Sequence, residues 1–157
     1  HNMKGINYSK DRARMDYLFS EAQSKGISTI GIGDGGNEIG MGVIKEAVRK
    51  FIPYGKECQC PCKGGIACVT ETDILVTAAV SNWGCYGIIS ALAIKLRKPQ
   101  ILHNGNTEKA LIYKSIDAGF VDGVTGMAEP TVDGMPFEIH SGIVEILRFM
   151  ALREIER

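Results

Sequence analysis

Apolar and polar positions along the chain alternate between two periods, and the switching predicts strands interleaved with helices. From residue 11 to residue 24, Met15, Leu18, Phe19 and Ala22 fall on one stripe of a helix, with Asp11 near its start and Gly26 after its end. A short strand over residues 28–32 follows, then a helix over 42–51 that Pro53 stops. Residues 73–80, Asp-Ile-Leu-Val-Thr-Ala-Ala-Val, are apolar without alternation, as in a parallel strand covered on both faces. A polar loop over 81–87 leads into a helix over 86–96. Residues 100–103 read as a third short strand, Thr107 as the cap of a helix over 108–118, and Gly119 as its end signal. Residues 120–124 read as a last strand, 125–136 as a loop, and 139–155 as a long amphipathic helix. Strands alternating with helices predict an α/β fold, a three-layer sandwich with a mostly parallel sheet and helices on both faces. In such sheets ligands bind beyond the carboxyl ends of the strands, so the loops after residues 32 and 80 are expected on one edge.

The first of those loops is the densest signal in the chain. Gly31-Ile32-Gly33-Asp34-Gly35-Gly36-Asn37-Glu38-Ile39-Gly40-Met41-Gly42 holds six glycines in twelve positions. Glycine is used where the backbone needs positive φ or where something must approach it closely. Asp34, Asn37 and Glu38 add oxygen ligands, and no Lys or Arg is present, a combination that suits a hard metal ion or a small polar molecule. Gly31, Gly33 and Gly36 also satisfy G-x-G-x-x-G. A dinucleotide reading fails, because Asp34 would face the pyrophosphate and no acidic residue closes a second strand about 20 residues on.

Composition narrows the partners. The chain has 157 residues, 45% hydrophobic and 23% charged, enough for a single domain with its own core. Its 18 basic and 18 acidic residues cancel, which gives no basic surplus for nucleic acid or an anionic membrane. The apolar runs at 76–80 and 88–94 are too short to span a bilayer. Five cysteines, Cys58, Cys60, Cys62, Cys68 and Cys85, form an odd set without a secretion signal, which points to a reducing compartment. C-x-C-x-C is a poorer zinc geometry than paired C-x-x-C, so free thiols in an exposed loop are expected over a structural Zn2+ at Cys58, Cys60 and Cys62.

Three segments, residues 31–42, Ala79-Val80-Ser81-Asn82-Trp83-Gly84 and Val132-Asp133-Gly134-Met135-Pro136-Phe137, together resemble the D-glutamate cyclase family. The likeness runs over nearly the whole chain. The family domain is larger, so the resemblance implies that this chain is its C-terminal part and that an amino-terminal half belongs with it, consistent with His1 in place of Met. It further implies a lyase that converts D-glutamate to 5-oxo-D-proline and water, in the cytoplasm or the mitochondrial matrix of a eukaryote. Related sequences have been read as manganese-dependent phosphatases, which leaves a phosphate substrate as the alternative. An inactive half-domain that binds a ligand or partner is the third reading.

The chemistry assigns roles. Cyclisation needs a base for the α-amine, polarisation of the γ-carboxylate and a donor for the oxyanion. Asp34 and Glu38, four residues apart, are expected as the catalytic carboxylates, both metal ligands or one ligand and one base, with Asp133 as a third ligand to Mn2+ or Mg2+. Gly35, Gly36, Asn37, Ser81, Asn82 and Trp83 are expected to bind substrate. Glu138, His140, His103 and Asn104 rank below them as structural residues. The expected partners are a small amino acid or phosphate, a second copy of the chain, or the amino-terminal half.

Overall fold

The computed structural model describes the backbone of the whole chain and every side chain except that of Asp11. The first helix, expected from residue 11, starts at Asp16. Five α-helices and two small sheets alternate along the chain. The architecture is α/β. The chain divides into two compact units, His1–Gly84 and Cys85–Arg157.

The first unit holds α1 (Asp16–Ser24), β1 (Ile30–Gly33), α2 (Lys45–Phe51), β2 (Ile74–Thr77) and the opening of α3 (Ser81–Leu96). β1 and β2 pair in parallel, from Ile30 opposite Ile74 to Gly33 opposite Thr77. Side-chain bonds set this register at its start: the Asp73 carboxylate accepts from the Thr29 amide at 2.7 Å and its hydroxyl at 2.9 Å, and Thr29 Oγ1 accepts from the Asp73 amide at 3.1 Å. The same bonds hold the Asp73 carboxyl below its ordinary pKa, the Thr29 amide contributing most. The three-layer sandwich expected from the sequence is not confirmed: the described residues give one two-stranded parallel sheet and one two-stranded hairpin. β2 is also not covered on both faces, with Ile74 52% exposed. The α1 stripe is half buried at Phe19 and Ala22 and open at Met15 and Leu18.

In the second unit, α4 (Gly105–Asp117) and α5 (Phe137–Ile155) pack against each other. The Gly105 amide donates to Glu145 Oε1 at 2.7 Å, and the Ser141 hydroxyl donates to the Gly105 carbonyl at 3.0 Å. The cap of α4 is Asn104, whose side chain accepts from the Thr107 amide at 2.9 Å; Thr107, expected in that role, is the donor. The strand expected at 100–103 is a 3-10 turn at Pro99–Ile101.

Residues 120–124 form no strand either, and a single carboxylate explains why. Asp122 is buried, and it accepts from the amides of Val124 (2.7 Å), Thr125 (2.9 Å) and Gly134 (2.8 Å) and from the Thr131 hydroxyl (2.7 Å). Side-chain bonds of this kind compete with a strand ladder for the same backbone donors. They also anchor the short hairpin β3 (Thr131–Val132) and β4 (Met135–Pro136) inside what the sequence reads as loop. Its turn residues Asp133 and Gly134 have φ of 53° and 74°, the twist that a two-residue hairpin requires.

Burial alone would raise the Asp122 pKa; its hydrogen bonds, that from Gly134 foremost, outweigh burial and bring it to about 2. A carboxyl depressed on folding contributes stability that is complete above its ordinary value near 3.8 and is lost as pH falls through about 2. Asp122→Asn is therefore expected to cost about 2 kcal/mol at neutral pH. Its acid unfolding, followed by circular dichroism, should be flatter between those two values than that of the parent chain. An unchanged acid limb would refute this account.

Candidate functional site at the strand ends

The glycine loop folds back over its own strand. A Cβ on Gly31 would lie 2.7 Å from the Gly40 Cα, and one on Gly33 would lie 2.7 Å from Met41 Cγ. The Gly40 and Gly42 amides both donate to the Thr70 carbonyl, at 3.0 and 3.2 Å, and the Cys68 amide donates to the Gly36 carbonyl at 2.9 Å. Only backbone without side chains can stack this closely.

Asp34 stands at the carboxyl end of β1 and reaches the start of α3. Its Oδ2 accepts from the Ser81 amide at 2.8 Å and also from the Ser81 hydroxyl. A carboxylate here meets the positive end of a 16-residue helix. The loops after β1 and β2 therefore share one edge, as their topology predicts. The helix begins at Ser81, five residues before the start the sequence suggests, because its cap comes from a residue 47 positions away. Both bonds fall on Oδ2, so Oδ1 is not committed to the cap.

Glu38 turns inward on its own loop. Its Oε1 accepts from the Gly35 amide at 3.0 Å and its Oε2 from the Gly36 amide at 2.8 Å. The bare N–H groups expected there are thus filled by the neighbouring acid. Asn37 donates to the His1 carbonyl at 2.8 Å, which ties the loop to the first residues of the chain. Asn82 and Trp83 are half-buried in the first turn of α3. Asp133 occupies the hairpin turn of the second unit, and His140, fully buried, has its Nε2 3.2 Å from the Val132 carbonyl.

Two groupings go beyond what the sequence showed. In the second unit, buried Glu108 takes the Tyr86 hydroxyl on one oxygen and lies 3.2 Å from His103 Nε2 on the other. The His103 and Tyr86 rings lie 5.3 Å apart. In the sequence Glu108 only opens a helix, and the fold reveals its burial. In the first unit, His1 joins Cys58, Cys60 and Cys62, with all four ligand atoms within 4.8 Å of one another. Among the described residues this is the group of His, Cys, Asp and Glu side chains positioned to hold a metal ion. The thiols are free, and the loop is less open than expected, since Cys58 is buried and Cys60 half-buried. Hydrogen bonding from Cys60 brings the Cys58 pKa down to about 6, while the Cys58 and Cys62 thiols push Cys60 up to about 11.

No helix among the described residues is long and apolar enough to cross a membrane. Comparison with known proteins gives two matches. The family model described as D-glutamate cyclase-like, C-terminal, matches residues 1–148. The mitochondrial D-glutamate cyclase of Homo sapiens is 34% identical over 175 aligned positions, which cover 94% of this chain and 26% of that protein. The chain thus spans about a quarter of the length of that curated relative.

Proposed function

This chain belongs to the D-glutamate cyclase-like family, and on that premise we propose that it carries part of a lyase closing D-glutamate to 5-oxo-D-proline with release of water. The observation that carries the reading is Asp34, a carboxylate held at the junction of the two strand-end loops with one oxygen outside the helix cap. In the reaction the α-ammonium loses one proton, its nitrogen attacks the γ-carboxyl carbon and then loses a second proton, and as the C–O bond breaks one carboxylate oxygen takes up two protons and leaves as water. We assign Asp34 Oδ1 to accept the amine proton. The half-buried Asn82 and Trp83, one turn into α3, would border the substrate, and bending it over the loop brings amine and carbonyl carbon together.

Glu38 has a supporting part in this proposal. Both its oxygens satisfy loop amides, so it shapes the turn that presents Asp34. No step in this proposal is routed through Mn2+ or Mg2+ on Asp34, Glu38 and Asp133. The name of the human relative supports a mitochondrial location for a eukaryotic source.

The test is direct. The chain is incubated with D-glutamate, with L-glutamate and, separately, with a phosphate ester plus manganese, and products are resolved by chiral chromatography and phosphate release. Formation of 5-oxo-D-proline from the D-isomer supports the reading. Phosphate release alone would replace it with the phosphatase reading, and activity only in a longer form of the protein would assign the chemistry to the whole.

A further inference from the structure

The cysteine cluster takes no part in that chemistry, yet it is the most tightly gathered set of reactive side chains in the first unit. Cys58 Sγ lies 3.0 Å from Cys60 Sγ and 3.3 Å from Cys62 Sγ, and Cys60 and Cys62 are 3.0 Å apart. His1 Nε2 lies 3.1 Å from Cys60 and 3.2 Å from Cys62. The local chain makes this possible. Lys63, at φ 51°, donates its amide to the Cys60 carbonyl at 3.1 Å, closing a turn that brings Cys62 back beside the other two sulfurs. A disulfide would pair two sulfurs and leave the third, whereas here three stand at nearly equal separations from one another, with a ring nitrogen against two of them.

Tetrahedral zinc with thiolate bonds of ~2.3 Å and an imidazole bond of ~2.0 Å places its ligand atoms ~3.5 to 3.8 Å apart. The five short separations would need each atom to move outward by ~0.5 Å to meet that geometry, while His1 Nε2 and Cys58 Sγ lie within 4.8 Å of each other. Three soft thiolates with one imidazole favour zinc over the hard cations that oxygen sites select. Four protein ligands leave no position for water or substrate, the mark of a structural ion.

We propose that His1, Cys58, Cys60 and Cys62 form a closed structural zinc site that fastens the first residues of the chain beside the glycine loop. Residues 1–5 already bridge the two. The His1 carbonyl accepts from Asn37, the Lys4 carbonyl accepts from the Gln59 side chain at 2.8 Å, and the Gly5 carbonyl accepts from the Gln59 amide at 2.9 Å. Met3 lies so close over Gly35 that a Cβ there would meet its sulfur at 2.5 Å. An ion on His1 would therefore lock a strap whose next contact is Asn37, three residues from Asp34.

The experiment uses the full chain, purified under reducing conditions without chelator. Elemental analysis is expected to find about one zinc per chain, falling below ~0.1 in Cys60→Ser and unchanged in Cys85→Ser. Cobalt reconstitution should give the strong visible bands of a tetrahedral thiolate site in the parent and none in Cys60→Ser. His1→Ala should weaken zinc binding by at least ~10-fold. Removing the ion should speed amide exchange in residues 1–5 and at Asn37. None of these readouts depends on turnover. Negligible zinc with no cobalt bands, retention of the ion by Cys60→Ser, or a disulfide within the trio would each overturn the proposal.

Discussion

Asp34→Asn is expected to lower kcat/KM for D-glutamate by ~10²- to 10⁴-fold, the range that one positioned general base supplies, while leaving the fold intact. The separation of these two effects follows from the geometry. Oδ2 caps α3 through the Ser81 amide and hydroxyl, and an asparagine oxygen can accept the same bonds. Capping by Asp or Asn is of similar strength, so the variant keeps its helix. What it loses is the basic oxygen assigned to the amine proton. Asp34→Ala should show the same catalytic loss and, in addition, destabilise the chain by ~1 kcal/mol through the missing cap. The measurements are initial rates and thermal melts on the form of the protein that turns over D-glutamate. An Asp34→Asn variant retaining more than about a tenth of parental kcat/KM would remove Asp34 from the chemistry.

A large stability effect is expected at Gly40. Its φ is +102°, a backbone region that residues with a Cβ rarely adopt, and an added Cβ would sit 2.7 Å from the Gly31 Cα and 2.8 Å from Thr72 Oγ1. The obstruction is mainly backbone on a neighbouring strand, which cannot swing aside as a flexible side chain can. Gly40→Ala should therefore cost ~3 kcal/mol or more, combining backbone strain with overpacking. Gly26 is the control. It too has positive φ, at +68°, but a Cβ there meets nothing within 4 Å, so Gly26→Ala should cost only ~1 kcal/mol. Urea denaturation of the three chains measures both. Equal midpoints for the two variants would show that the loop can open to admit a methyl group, and the close stacking of Gly31 on Gly40 would lose its meaning.

The glycine loop was legible from residues alone because its glycine density is itself the signal. Six glycines in twelve positions announce positive φ or close backbone approach even though the atoms they meet, Gly31 against Gly40 and both against Thr72, come together only in the fold, and the apolar run at 73–80 already marks the position of β2. The start of α5 was legible to within two residues, since Pro136 and the following periodicity announce it. Family resemblance added a function class, and the comparisons bear the family out. The strands expected at 100–103 and 120–124 failed because a strand exists only where a neighbour pairs with it. A short apolar run cannot say whether a carboxylate such as Asp122 will claim its amides first.

By itself, then, the sequence determined which segments are helical, where the backbone must turn tightly, and which family the chain resembles, since each of these rests on contacts between near neighbours or on a long motif. Tertiary structure alone decided that Asp34 caps a helix begun 47 positions later, that Glu38 closes on Gly35 and Gly36, that Glu108 is buried, and that His1 meets three cysteines. Each of these depends on distances across the fold or on the removal of a charge from water, and neither quantity is written in the spacing of residues along the chain.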